Sequence, residues 1–273
     1  MNLHHTPLQA LVQAPVSSPS RTRILATLAL VIAVTACGGG GGGGGGSTPV
    51  ARTGISEAYY PVATGYRWIY DITQTHPAAS FLNETVVTDT RTVGGTTAWV
   101  LRDSNPGGDG MAAEGYYTKD ARAFTYLGDN SDASWLTAAM GPLELMRFDG
   151  NFSTSPLLER RDVDIGEDMD GDGRNERFDV TVTGVVEGIE TFVSNLGSFA
   201  DTARLRYDVA GTLRLTTGAT VPVTEVIRVW RAPGVGGLRQ TLELTTLGVS
   251  TTQTLELRAF SVNGAASGEL ARQ

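Results

Sequence analysis

From Tyr66 onward, apolar and polar residues alternate with a period of two. Tyr66, Trp68, Tyr70 and Ile72 fall on one side, and Arg67 and Asp71 on the other. Leu205, Tyr207, Val209, Leu213 and Leu215 alternate with Arg204, Arg206, Asp208 and Arg214. Leu238, Leu242 and Leu244 oppose Arg239 and Glu243, and Leu255, Leu257 and Ala259 oppose Glu256 and Arg258. Successive side chains of an extended chain point to opposite faces, so each segment predicts a strand with one apolar and one wet face. A wet face indicates antiparallel pairing, because parallel strands are covered on both sides and read as unbroken apolar runs. Gly94-Gly95, Asn105-Pro106-Gly107-Gly108, Gly128-Asp129-Asn130, Pro233-Gly234 with Gly236-Gly237, and Asn263-Gly264 supply the turns. About ten strands in one sheet must curl, split or close. The expected fold is therefore all-β, a curved antiparallel sheet or half-open barrel, with a β-sandwich as the alternative. The one helix predicted is short, from Ala133 to Leu145, and Gly141-Pro142 interrupts it.

The alternation does not extend to the N-terminal segment. Arg21 and Arg23 precede an apolar stretch from Ile24 to Val34, and the small residues Thr35 and Ala36 lead into Cys37. Positive charge, a short apolar core and small residues are the layout of an export signal. The apolar stretch is shorter than the roughly 20 residues that a membrane-spanning helix needs. Cys37 is the only cysteine of the chain, and nine glycines follow it, Gly38 to Gly46. These features divide the chain into a signal, residues 1–37, a glycine-rich tether, residues 38–54, and one β domain, residues 55–273. Nine glycines reach roughly 30 Å at full stretch.

Charge narrows the partners. All 29 acidic residues follow Cys37, whereas two of the 21 basic residues precede it, so the chain from Cys37 onward carries 19 − 29 = −10. Such a chain repels nucleic acid and anionic surfaces. A lone cysteine at the end of the signal leaves no thiol for a disulfide or a cysteine metal site in the domain.

Val34-Thr35-Ala36-Cys37 resembles the lipobox of bacterial lipoproteins, with valine where leucine is usual. That resemblance implies lipid on Cys37 and a membrane partner reached through the anchor, where each buried CH₂ contributes about 0.8 kcal/mol. It also implies a place in the cell envelope. Gly38 after the cysteine, rather than aspartate, points to the outer membrane facing the periplasm. Tyr59-Tyr60-Pro61-Val62 followed by Gly65, Trp68 and Tyr70 resembles the opening of a diffuse group of uncharacterised bacterial envelope lipoproteins. Gly197-Ser198-Phe199 and Ala232-Pro233-Gly234-Val235-Gly236 resemble two later motifs of the same group. The group implies a curved antiparallel sheet and carries no assigned activity. The aromatic residues Trp68, Tyr70 and Trp230 either fill the core of such a sheet or line a cavity for an apolar small molecule.

The sharpest local motif is Asp168-Met169-Asp170-Gly171-Asp172-Gly173-Arg174-Asn175-Glu176. Carboxylates at alternate positions with glycine at the sixth resemble the start of an EF-hand-type calcium loop. Ca²⁺ takes six to eight oxygens, which alternate residues of a tight loop can supply. The expected set is Asp168, Asp170, Asp172, the Arg174 backbone carbonyl, Glu176 and Asp179. Phe178 to Val182 reads as strand, so the loop is expected between strands rather than helices. The plain alternative is an acidic, solvated turn. His76 is the one histidine beyond the signal, and neither a nucleophilic triad nor a zinc site can be built on it. Paired carboxylates could hydrolyse a glycoside, the alternative function, but nothing singles out a pair. The sequence therefore predicts a lipid-anchored, non-enzymatic envelope protein, a binding or structural module for an apolar ligand or an envelope protein, with calcium as the one cofactor suggested.

Overall fold

The sheet is joined by a pairing between its first long strand and nearly its last. In the computed structural model, which describes residues 55–130, 140–150, 152–153, 155–246 and 248–272, β1 (Arg67–Thr75) lies between β2 (Ala78–Val93) and β12 (Val249–Val262). From β2 the chain meanders outward through β3 (Thr96–Asp103), β4 (Ala113–Lys119) and β5 (Ala123–Asp129) to β6 (Leu143–Arg147). It resumes at the opposite edge with β7 (Leu158–Asp164). It then returns through β8 (Arg177–Ser194), β9 (Gly197–Arg214), β10 (Thr220–Ala232) and β11 (Gly236–Thr246) to β12. A short β13 (Ala265–Ser267) pairs with the end of β12. All pairings are antiparallel, as the one-sided alternation requires.

The two edges of this sheet, β6 and β7, are neighbours in the chain, and the sheet curls into a nearly closed barrel. Contacts cross the remaining gap. The Tyr207 hydroxyl on β9 donates to the Leu145 carbonyl on β6 at 2.8 Å. The Phe152 ring, from the β6–β7 connection, meets Tyr207 edge-on with centroids 5.7 Å apart. Gly184 on β8 is needed here, since a Cβ would lie 2.4 Å from Phe152 Cζ and 2.9 Å from Leu157 Cδ1.

The interior is filled along the period-two positions. On β10, Val221, Val223, Glu225, Ile227, Val229 and Arg231 are buried while the residues between them are exposed or half-buried. Tyr60, fully buried, packs on Phe124 at 5.0 Å and on Phe148 at 5.7 Å. The Arg231 guanidinium, also buried, sits 4.1 Å from the centre of the Tyr60 ring, a cation–π contact made in the absence of water. The chain enters this core through a single turn of 3-10 helix, Glu57–Tyr59. Lys119 Nζ donates to the carbonyls of Glu57 and Tyr60, both at 3.2 Å. Arg231 Nη1 donates to the Tyr59 carbonyl at 2.8 Å, and the Tyr59 hydroxyl donates to the Asp201 carbonyl at 2.7 Å. The Gly234 amide donates to the Ala58 carbonyl at 2.7 Å.

Two local expectations are corrected. Residues 131–139 of the predicted helix lie outside the described residues, but its last part is strand β6. Leu143 and Leu145 are buried and Glu144 is not; this short alternation prevails once Pro142, which has no amide hydrogen, stands before it. Gly128-Asp129 is the end of β5 rather than a turn. The register slips beside it, between Tyr116 and Tyr117, so the glycine marks a bulge. Among the described residues no helix is long and apolar enough to cross a membrane.

Candidate functional site

The acidic motif forms the loop between β7 and β8, as the strand pattern after it predicts. Its root is held by backbone pairing. The Ile165 amide donates to the Glu176 carbonyl at 3.2 Å, and the Glu176 amide to the Glu167 carbonyl at 3.0 Å. Its tip is wound around Asp168. Asp168 Oδ1 accepts from the amides of Gly171 (2.6 Å) and Asp172 (3.1 Å), and Oδ2 from that of Gly173 (2.8 Å). Gly171 and Gly173 have φ of 82° and 88°, the left-handed region that glycine enters without a steric penalty. Asp164, at the end of β7, accepts from the Gly166 amide and from Asn175 Nδ2. These bonds hold its carboxyl below the ordinary range.

The winding brings Asp168, Asp170 and Glu176 together, with one carboxylate oxygen of each within 4.8 Å of the others. Glu176 differs from its neighbours in being fully buried. Its Oε2 accepts from the Met169 amide at 2.8 Å, and its Oε1 has no hydrogen-bond partner. Burial, with the charge of Asp170 added, raises its pKa, and the Met169 amide opposes that shift. The other residues of the expected set go elsewhere. Asp172 accepts from its own turn, the Arg174 amide at 2.9 Å, and from the Thr216 hydroxyl at 2.5 Å. Asp179 lies on β8, 2.9 Å from Arg214 Nη2, and accepts from the Asp162 amide at 2.7 Å. Arg174 is exposed at the loop tip. Thr216 and Thr217, in the turn between β9 and β10, also face Asp170 Oδ2, each at 3.4 Å. Sequence spacing alone could not show that contact, because only the pairing of β8 with β9 brings the turn beside the loop.

The aromatic residues separate by face. Trp68 is fully buried, and its Nε1 donates to the Val235 carbonyl at 2.8 Å. Tyr70 is buried beside it, with its hydroxyl 3.1 Å from the Gly237 carbonyl. Trp230 follows the inward-facing Val229 and precedes the inward-facing Arg231, so it stands on the opposite face. There it lies half-buried between Phe192 and Arg239, and its Nε1 donates to Glu190 at 2.9 Å. The three therefore do not share one cavity.

A buried polar group that the sequence reading missed is Asp103, at the end of β3. Its Oδ1 accepts from Asn83 Nδ2 at 2.8 Å and from the Thr85 hydroxyl at 2.5 Å. Burial pushes its pKa up to about 6 against these two bonds. Cys37 and the tether lie outside the described residues.

No family model matches the chain, and no curated protein does. Two solved structures resemble it. One is an inferred exported protein with a YmcC-like fold from Bacteroides fragilis, 12% identical, covering 73% of this chain and 96% of that one, with a TM-score of 0.40. The other is an inferred lipoprotein from Parabacteroides distasonis, 14% identical, covering 73% of this chain and 97% of that one, with a TM-score of 0.37.

Proposed function

We propose that this chain is a lipid-anchored protein of the bacterial cell envelope, without catalytic activity, whose barrel-like domain serves as an interaction or structural module. The observation that carries the reading is the lone Cys37, at the end of an apolar stretch with Arg21 and Arg23 before it and nine glycines after it. A thiol in that setting suits lipidation better than a role in the folded domain. The glycine tether then lets the domain stand off the surface. The packing of the domain supports a partner met on the outside over an apolar ligand held within. Trp68 and Tyr70 use their ring surfaces against the core and their polar ends on the backbone of residues 235–237. Gly38 supports outer-membrane placement on the periplasmic side.

Cys37→Ser tests the anchor. Wild-type protein is expected in the detergent phase of a Triton X-114 separation and the variant in the aqueous phase. Equal partitioning of the two refutes the proposal. Sucrose-gradient fractionation of the membranes then decides between inner and outer, and protease treatment of whole cells decides the side.

A further inference from the structure

We propose that Asp168, Asp170 and Glu176 form a binding site for one calcium ion, which fastens the β7–β8 loop beside the β9–β10 turn. The acidic loop by itself is only a wound surface turn. What points to a ligand is Glu176, a fully buried carboxylate with Oε1 unpartnered. A buried carboxylate oxygen without a partner is costly, and burial is tolerated when the charge is paired or coordinates a metal. The two groups gathered with Glu176 are also carboxylates, so they add negative charge rather than offset its own. A cation there turns three repulsions into three attractions.

Distances indicate which cation. Ca²⁺–oxygen bonds are about 2.4 Å long, so two ligands on opposite sides of the ion are about 4.8 Å apart. The three carboxylate oxygens lie no farther apart than ligands that share one such ion. The donors are all hard oxygens, which excludes a preference for softer metals. Two amides fill the lone pairs of Asp168 Oδ1, but Oδ2 accepts only from Gly173 and keeps one lone pair for a cation. Magnesium needs a tighter octahedron and gives up its water reluctantly.

The site also sits where it can act on the fold. Glu176 adjoins the first residue of β8, at the root of the loop, while Asp168 and Asp170 belong to its tip. Asp170 faces Thr216 and Thr217 across the gap. An ion held by all three therefore ties tip to root, and through Asp170 holds the loop against the neighbouring turn. β7 is an edge strand with a single partner, β8, and this loop is the connection between the two. The ligand set differs from the one the sequence spacing suggests, because Asp179 is engaged by Arg214.

The test uses the full chain in detergent micelles, stripped with EGTA and titrated calorimetrically with calcium chloride. One ion per chain is expected to bind. Asp170→Asn and Glu176→Gln should each weaken binding on the order of tenfold or more, while Asp179→Asn leaves it within threefold. Calcium near a hundredfold excess over Kd should raise the melting temperature of the wild type by about 5 °C, and that of Glu176→Gln by none. The proposal is overturned if millimolar calcium gives no heat and no shift. It is overturned equally if Asp170→Asn and Glu176→Gln bind like wild type, or if magnesium binds as tightly as calcium.

Discussion

Asp103 makes the stability of this domain depend on pH in a direction opposite to that of most carboxylates. Its carboxyl is buried beneath β2 and β3, and its pKa rises from 3.8 to about 6. Well below pH 3.8 the group is protonated in both the folded and the unfolded chain and favours neither. Between pH 4 and 6 the unfolded chain releases its proton while the folded one keeps it, so stability falls as the pH rises. About one pH unit above 6 both are ionised and the loss is nearly complete. The gap between 3.8 and about 6, at 1.36 kcal/mol for each tenfold change in proton affinity, comes to about 3 kcal/mol. Asparagine in its place keeps an oxygen to accept from Asn83 and Thr85 and has no proton to lose. Relative to wild type, Asp103→Asn should therefore gain about 2.4 kcal/mol between pH 4 and pH 7, the rest of the difference lying below pH 4. Urea unfolding of both proteins at pH 4, 5, 6 and 7 measures this directly, since every other titrating group is common to both and cancels. A stability difference that stays constant across that range would show that Asp103 titrates normally in the fold, and the argument fails.

Other outcomes follow from packing. Trp68→Ala removes the largest fully buried side chain and leaves the Val235 carbonyl without its donor, so urea unfolding should show a loss of about 3–5 kcal/mol. Gly268 and Gly264 both have positive φ, but a Cβ at Gly268 would lie 2.4 Å from the Arg258 carbonyl oxygen, whereas one at Gly264 meets nothing within 4 Å. Gly264→Ala should thus cost about 1–2 kcal/mol for its backbone conformation alone. Gly268→Ala should cost more and should release the C-terminal turn, read as faster hydrogen exchange of residues 268–272 than in Gly264→Ala.

Much of the fold is legible from the sequence because period two is a direct consequence of extended geometry. The segments around Trp68, Tyr207, Leu242 and Leu257 are strands with those residues buried. Arg231 follows the inward parity of Val229, a signal that the pattern carries, whereas on β3 Val100 and Leu101 are both buried and the parity that turns Asp103 inward is not fixed by alternation alone. The rule cannot say what they touch. Tyr60 comes to Arg231 across 171 positions of chain only because β1 pairs with β12 and β9 to β12 lie side by side. The acidic loop shows the same boundary. Its winding around Asp168 is local and follows from spacing, whereas the burial of Glu176 and the approach of Thr216 depend on strand register. For the same reason the diversion of Asp179 to Arg214 is invisible before folding.

The entry of the chain into the domain has a mechanical consequence for a tethered protein. Were the chain anchored at Cys37 as proposed, a load from that side would reach the described domain at the turn of residues 57–60 before any long strand. Pulling a terminal strand from a sheet breaks its bonds one after another, and each break needs little force. Here Lys119, Arg231, Gly234 and Asp201 bind the same short turn from different parts of the sheet. The Tyr60 ring behind it is wedged between Phe124 and Arg231. Tension is therefore shared among these bonds at once, and the first event under load is extraction of a buried aromatic ring rather than unzipping. Under the anchoring proposed above, nine glycines between Cys37 and the domain would take up small displacements before load reached this turn.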